Sequence, residues 1–230
     1  MEVNEKLILD NGTGMYCRPN TIDRDVIREV INRNAYKNLV NKLEPEDIVL
    51  DLGGHIGTFA NLVALKVKRV ICFEPSPENF ELLELNTQRF SNVELHNKAV
   101  TDKEQDKIEF WFITKPKSNN KNTGAGGVYK KRGRSIVMVD NMHIRDVLEQ
   151  IKPTKIKCDI EGAEYEIFSE TEVPSTVKAI IFEIHRQGVK DAKQKYDKLE
   201  NNLLSQGFTV HKPENFFKNK AWYFTVYFDR

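Results

Sequence analysis

The sequence predicts an α/β fold, a mostly parallel sheet covered by helices on both faces. Three observations carry that reading. Short apolar runs at 48–52, 70–74 and 93–96 alternate with helix-period segments at 57–66 and 78–90. A glycine turn, Gly53-Gly54-His55-Ile56-Gly57, joins the first of these strands to its helix. An acid, Glu74, ends the second strand twenty-three residues after Asp51. In such sheets ligands collect at the carboxyl ends of the strands.

The turn and the acid point to a nucleoside. A glycine turn lets backbone approach a ligand, and the helix after it offers free N–H groups and a positive dipole end. An acid at the next strand tip, about 20 residues on, meets ribose hydroxyls. The glycines at 53, 54 and 57 do not have the spacing of the dinucleotide fingerprint. The competing reading is a turn needed only for close helix–strand packing. The candidates on this side are Asp51, Gly53, Gly54, His55, Gly57, Glu74 and Pro75, with Asp159 from a later strand. Asn97 and Ala99, just past strand 93–96, are the expected adenine edge.

The remaining elements follow in order. A short strand at 7–9 and a turn at 11–14 precede a helix capped by Thr21, whose Ile22, Val26, Ile27, Val30 and Ile31 share one face. Residues 1–46 therefore read as a helical flank over the nucleoside site, and 47–230 as the core of a single domain. Strands at 108–113 and 135–139 form an inserted hairpin within 107–140. A helix at 143–151, a strand at 155–160 and a helix opening at 161 come next. A strand at 179–185, a helix marked by Ala192, Tyr196, Leu199 and Leu203, and a terminal antiparallel hairpin of 208–211 with 222–228 close the chain.

Composition bounds the class. At 230 residues, 40% hydrophobic and 30% charged, the chain is an ordinary globular protein. No apolar run reaches the ~20 residues of a membrane helix, and residues 1–6 show no signal-peptide pattern. Cys17, Cys72 and Cys158 form no CxxC pair, which suits a reducing, cytoplasmic setting. Net charge is +1, but residues 115–134 hold seven cations and no acid. This glycine-bearing loop reads as a flap that attracts an anionic substrate, or as a solvated surface loop.

With these residues placed, the chain resembles the FkbM family of S-adenosylmethionine-dependent methyltransferases. The resemblance rests on 49–57 (VLDLGGHIG), 73–77 (FEPSP), 157–164 (KCDIEGAE) and 182–185 (FEIH). Weaker matches are 18–23 (RPNTID) and 122–124 (NTG). Family members usually carry an Asp directly after the Leu or Ile that begins the helix before the Asp-x-Glu-Gly motif. Here Arg145 follows Ile144, and Asp146 comes one place later. The resemblance implies a Rossmann-like class I fold, seven strands with the last antiparallel, and S-adenosylmethionine as cofactor with S-adenosylhomocysteine as product. It also implies O-methylation of a sugar, nucleotide-sugar, glycan or other small hydroxylated metabolite.

Methyl transfer to oxygen is an in-line displacement, and an aliphatic hydroxyl needs a base or a metal to help remove its proton. The strand tips near 160 and 185 offer Asp159, Glu161, Glu164, Glu183 and His185. His185 titrates near neutral pH and is the expected base; its competing reading is a histidine that only hydrogen-bonds backbone. Glu161 either points with Asp159 to one side or faces the helix start that follows. Asp159 or Glu161 with Glu183 could hold a divalent cation, which is not the favoured reading. Lys157 reads as a salt-bridge partner. The competing functions are an RNA 2′-O-methyltransferase and a nucleoside-binding protein without catalysis. The acidic balance outside the loop disfavours RNA, and the acids beside His185 disfavour simple binding.

Overall fold

The computed structural model describes residues 5–8, 14–112, 122–124, 126–128, 135–186, 188–214, 217 and 221–230. A hairpin of β1 (Glu5–Ile8) and β2 (Gly14–Cys17) leads into α1 (Asp23–Ile31) and α2 (Lys37–Val40). The core begins with β3 (Ile48–Leu52), α3 (Thr58–Val63), a 3-10 turn (Ala64–Lys66), β4 (Arg69–Phe73), α4 (Pro77–Thr87) and β5 (Val93–His96). Next come β6 (Lys98–Thr101), β7 (Lys107–Phe112), β8 (Ser135–His143), α5 (Ile144–Ile151) and β9 (Lys155–Cys158). The chain closes with α6 (Glu164–Phe168), β10 (Ala179–His185), α7 (Ala192–Ser205), β11 (Thr209–His211) and β12 (Tyr223–Asp229).

The central sheet has seven strands in the order β11-β12-β10-β9-β3-β4-β5. The pairs β10/β9, β9/β3, β3/β4 and β4/β5 are parallel, and β12 runs antiparallel to both β10 and β11. The expected antiparallel last strand and terminal hairpin are both present. From β3 the chain moves out through β4 to β5, then returns to β9 on the other side of β3. That reversal opens a crevice beyond the carboxyl ends of β3 and β9, where such folds bind ligands.

Strand periodicity sorts the core into two layers. Leu50, Leu52, Ile156 and Phe182 pack with Val147, Leu148, Phe168, Tyr196 and Leu199 from α5, α6 and α7. Val49, Val70, Cys72 and Ile181 pack on the other face with Phe59, Val63 and Leu83. Each of these buried side chains contributes about 1.5–3 kcal/mol of apolar burial. Asp51 and Lys157 share the face of Val49, so one buried ion pair interrupts that apolar layer at the crevice end of the sheet.

Several elements differ from expectation. The N-terminal flank holds an antiparallel strand pair as well as helices, and most of the turn expected at 11–14 lies outside the described residues. Thr21 lies before the cap of α1, and its hydroxyl accepts from the Asp23 N–H at 3.2 Å. The strand expected at 155–160 ends at Cys158, and the following helix starts at Glu164. Glu161 (φ +57°) and Gly162 (φ +103°) are both left-handed, a conformation that neither strand nor helix continues. β6, β7 and β8 form a separate three-stranded sheet, with β6 the strand that the sequence pattern did not separate from β5. All three cysteines are free and buried. Among the described residues no helix is long and apolar enough to cross a membrane. The seven cations of 115–134 lie outside the described residues.

Candidate active site

A cavity of about 750 Å³ opens over the crevice. Its volume is in the range of small-molecule sites. It has two chemically distinct ends.

The first end is built by the turn after β3 and the tip of β4. The N–H groups of Gly53 and Gly54 both donate to the Phe73 carbonyl, at 3.0 Å each, so they hold the turn onto β4. A Cβ on Gly53 would stand 1.8 Å from the Asp159 carbonyl oxygen, so only glycine lets β3 and β9 end this close together. Gly57, at φ +85°, takes the left-handed position at the start of α3, and a Cβ there would meet Leu83 at 2.9 Å. Gly53 therefore lines the cavity, whereas Gly54 and Gly57 pack against α4 and do not.

Glu74 is buried and accepts three hydrogen bonds: from the His55 N–H at 2.8 Å, the Ser76 N–H at 2.9 Å and Asn79 Nδ2 at 3.3 Å. Burial pushes its carboxyl up to about 6, and these donors only partly offset that. A carboxylate has roughly four lone-pair sites, so one remains for a ligand.

His55 (φ +49°) presents Nε2 to the Thr123 hydroxyl at 3.1 Å. That hydroxyl's one proton goes to Asp23 Oδ1 at 2.6 Å, so Nε2 carries the proton toward Thr123 and Nδ1 is an acceptor. Burial holds His55 neutral, down to about 4, and Nδ1 has no hydrogen-bond partner among the described residues. Asp23 is fully buried. Burial raises its carboxyl, but Arg18, His55 and Thr123 together outweigh that and hold it below the usual range. Arg18 grips Asp23 through Nε at 2.9 Å and reaches Asn79 Oδ1 at 2.8 Å; Asn79 in turn donates to the Thr123 carbonyl at 3.2 Å.

This network ties the two weaker motif matches, 18–23 and 122–124, to the turn and to Glu74. Arg18, Asp23, Asn79 and Thr123 were absent from the sequence candidates. The motif matches were the signal for three of them, and nothing in the pattern singled out Asn79. Pro75 and Ala99 line the same end. Asn97 does not: it is exposed, and its amide donates to the Glu74 carbonyl at 2.8 Å. Asp51 also lies outside the lining. It is fully buried, 3.1 Å from Lys157 Nζ, and burial raises its carboxyl despite that neighbour. Lys157 also donates to the Gly53 carbonyl at 2.6 Å, so it braces the turn, as a salt-bridge partner would.

The second end joins the tips of β9 and β10 to α1 and α2. All four residues expected to act on the acceptor, Asp159, Glu161, Glu183 and His185, line it. His185 Nδ1 meets Glu164 Oε1 at 2.8 Å. Its Nε2 faces Glu183 Oε1 at 3.4 Å, Glu161 Oε2 at 3.6 Å and Asp159 Oδ1 at 3.9 Å. Desolvation lowers the imidazole's affinity for a proton, but Glu164, Glu161 and Asp159 outweigh it and push His185 up to about 10. The imidazole is therefore charged at neutral pH, which corrects the expectation of a neutral base: too many carboxylates surround it.

Glu183 is driven well above the carboxylate range, first by burial and then by Asp159. Tyr36, an apolar flank residue by pattern, is buried here, and its hydroxyl donates to Asp159 Oδ2 at 3.0 Å and Glu183 Oε2 at 3.4 Å. Tyr223 donates to Glu29, and both line the cavity.

The sequence and the fold have counterparts among known proteins. Residues 51–210 match the family described as "Methyltransferase FkbM domain". Hexuronic acid methyltransferase AglP of Haloferax volcanii is 28% identical over 186 residues, spanning 80% of this chain and 74% of that protein. Among solved structures, the methyltransferase FkbM from Methylobacillus flagellatus KT superposes with a TM-score of 0.50 at 18% identity, over 83% of this chain and 49% of that one. Trm5b from Pyrococcus abyssi gives 0.51 at 12% identity, over 97% and 55%. At these identities the structural likeness concerns the fold.

Proposed function

The chain belongs to the FkbM methyltransferase family, and from that premise we propose that it methylates an oxygen of a sugar or glycan, a hydroxyl in the first instance, using S-adenosylmethionine. The observation that carries this reading is one cavity with two unlike ends, a wired Glu74–His55 end and a carboxylate-rich end around His185. The residues fit the cofactor. Glu74 keeps acceptor capacity for ribose hydroxyls, and His55 Nδ1 is an acceptor with no partner among the described residues. Gly53, His55, Glu74, Pro75 and Ala99 hold the nucleoside, and Asp159 stands where the two ends meet. When bound, the cofactor supplies an electrophilic methyl group on a cationic sulfur.

This chain's own residues then have three tasks. Tyr36 fixes the orientation of Asp159 and Glu183. Glu164 fixes the His185 ring through Nδ1. The acceptor's proton leaves toward the carboxylates, because the His185 imidazole already holds its own. The AglP likeness supports a sugar as acceptor class, and a hexuronic acid in particular.

A screen of hexuronate-containing and neutral glycans with radiolabelled S-adenosylmethionine tests the reading. Label that survives mild alkali is a methyl ether on a hydroxyl. Alkali-labile label is a methyl ester on the uronate carboxylate, which would move the acceptor oxygen. No transfer to any glycan, alongside RNA binding that falls steeply with salt, would favour the nucleic-acid reading instead.

A further inference from the structure

Of the large apolar side chains that stand exposed among the described residues, Trp222 alone lines the cavity, and it is 69% exposed. A single apolar residue on a surface is ordinary and needs no explanation. Trp222 differs in its place and in how its backbone is held. Its carbonyl accepts from the Arg186 N–H at 2.9 Å. The Arg186 guanidinium donates to the carbonyls of Phe217 at 3.0 Å and Ala221 at 2.6 Å. The next residue, Tyr223, opens β12, pairs with His185 and donates its hydroxyl to Glu29. The indole thus hangs from fixed backbone at the rim of the acceptor end. A large, stiff ring on a rigid frame loses little further freedom when a ligand covers it. Gly188, also exposed, lines the cavity, and a Cβ there would meet nothing within 4 Å, so the rim past β10 is open.

The other aromatic residues of this end are already engaged. Tyr36 is buried, its ring packs edge-on against Phe59, and its hydroxyl goes to Asp159 and Glu183. Tyr223 lies tilted against the His185 ring. Trp222 is the one that stands mostly in solvent. A pyranose matches this arrangement. Its hydroxyls project around the edge of the ring, and its faces carry C–H groups. Carboxylates accept from the edge, and Asp159, Glu161 and Glu183 line the same end. An aromatic face, apolar with a negative quadrupole, suits the C–H face.

We propose that Trp222 is the platform on which the pyranose ring of the acceptor stacks. The identity of the ligand rests on the proposed sugar methylation. Stacking reads the ring and not its charge, so it serves a hexuronate and a neutral hexose alike, and the polar edge contacts select between them. A nucleobase also stacks on aromatic side chains. A nucleic acid would bring phosphates to a wall of carboxylates, so the sugar is the favoured occupant.

The test uses the full chain saturated with S-adenosylhomocysteine. The probes are glucuronate, galacturonate and mannuronate, with glucose, galactose and mannose as their neutral counterparts. The chain has two tryptophans, and Trp111 is absent from the cavity lining, so it serves as the internal control. In nitrogen-15-labelled protein the indole N–H signal of Trp222 should shift on adding sugar, and that of Trp111 should not. Trp222→Ala should weaken sugar binding about tenfold or more by calorimetry, and Trp222→Tyr by less than about threefold, as replacement of one stacking ring by another allows. Affinity for S-adenosylhomocysteine should stay unchanged in both, which also reports an intact fold. In turnover of any probe that accepts label, the loss in Trp222→Ala should fall on KM and not on kcat. No shift at Trp222 with any probe, or equal losses in the two variants, overturns the platform. If Trp222→Ala does not fold, the wild-type shift decides. A shift with a single-stranded oligonucleotide and none with sugars overturns it in favour of a nucleic acid. A sugar-induced shift without methyl transfer keeps the platform and removes the methylation reading. Methyl transfer to a sugar that leaves Trp222 unshifted does the reverse.

Discussion

The two ends of the cavity differ in how their carboxylates are held. At the nucleoside end, Glu74 accepts three hydrogen bonds, and Asp23 is held by Arg18 and Thr123. At the acceptor end, the Nε2 face of His185 looks at three carboxylates across 3.4–3.9 Å. Preorganised hydrogen bonds suit a ligand that is the same in every cycle. A ring nitrogen that faces its carboxylates across 3.4 Å or more suits a group that must change partners when the acceptor arrives. The nucleoside end should therefore govern affinity, and the acceptor end turnover.

The largest expected effect tests that division directly. Glu183→Gln should lower turnover by about 10²- to 10⁴-fold, the usual range for losing help with proton removal. Calorimetric affinity for S-adenosylhomocysteine should stay within about threefold. Equal losses in affinity and turnover would erase the distinction between the ends.

The mirror experiment is Glu74→Ala. It should weaken cofactor binding by about 1.5–3 kcal/mol, the range for hydrogen bonds to a charged group, and leave turnover at saturating cofactor nearly unchanged. Unchanged affinity in a folded variant would remove Glu74 from the ribose.

The same residue gives a pH signature. Its carboxyl is raised to about 6 by burial. In the unliganded protein a raised acid contributes stability that is present below its unfolded value of ~4.5 and lost as pH rises through about 6, on the order of 2 kcal/mol for this shift. Hydrogen bonds from ribose favour the charged form, so ligand affinity should move the other way and rise as pH goes from 5 to 7. Glu74→Gln should flatten both trends. Melting curves and calorimetry across that range, wild type against variant, are the check; parallel curves would mean Glu74 does not change its proton on binding.

These effects also mark how far the sequence could be read. Central strands were legible because each is a short apolar run, and the turn because Gly53 is required by backbone that approaches too closely for a Cβ and Gly57 by its left-handed φ of +85°. The acceptor-end residues were legible because they cluster at two strand tips. The state of His185 was not, since it depends on Glu164 lying on its Nδ1 side, a contact between residues 21 apart. Tyr36 stood only within the flank of residues 1–46 for a similar reason: its hydroxyl finds Asp159 only after 123 residues of chain have folded back. Asp51 stood among the cofactor candidates because spacing shows which residues leave a strand tip but not which face they take. It faces Lys157 and the core, not the cavity.

The smallest expected effect concerns the residue that separates structure from site most cleanly. Asn97 was expected at the adenine edge, yet it is exposed, lies outside the cavity lining, and donates to the Glu74 carbonyl at 2.8 Å and the Pro75 carbonyl at 3.4 Å. Those bonds tie the chain after β5 to the tip of β4. Asn97→Ala should therefore cost about 0.5–1.5 kcal/mol of stability, the net value of a neutral hydrogen bond, while cofactor affinity changes by less than about threefold. Ala99, two residues on and inside the lining, supplies the control. A larger side chain there, as in Ala99→Leu, should hinder the nucleoside and not the fold's hydrogen bonds. A tenfold affinity loss in Asn97→Ala at unchanged stability would reverse the assignment and put the adenine against Asn97. An affinity loss in Ala99→Leu but not in Asn97→Ala would fix the adenine on the inner side of the segment, beside Glu74.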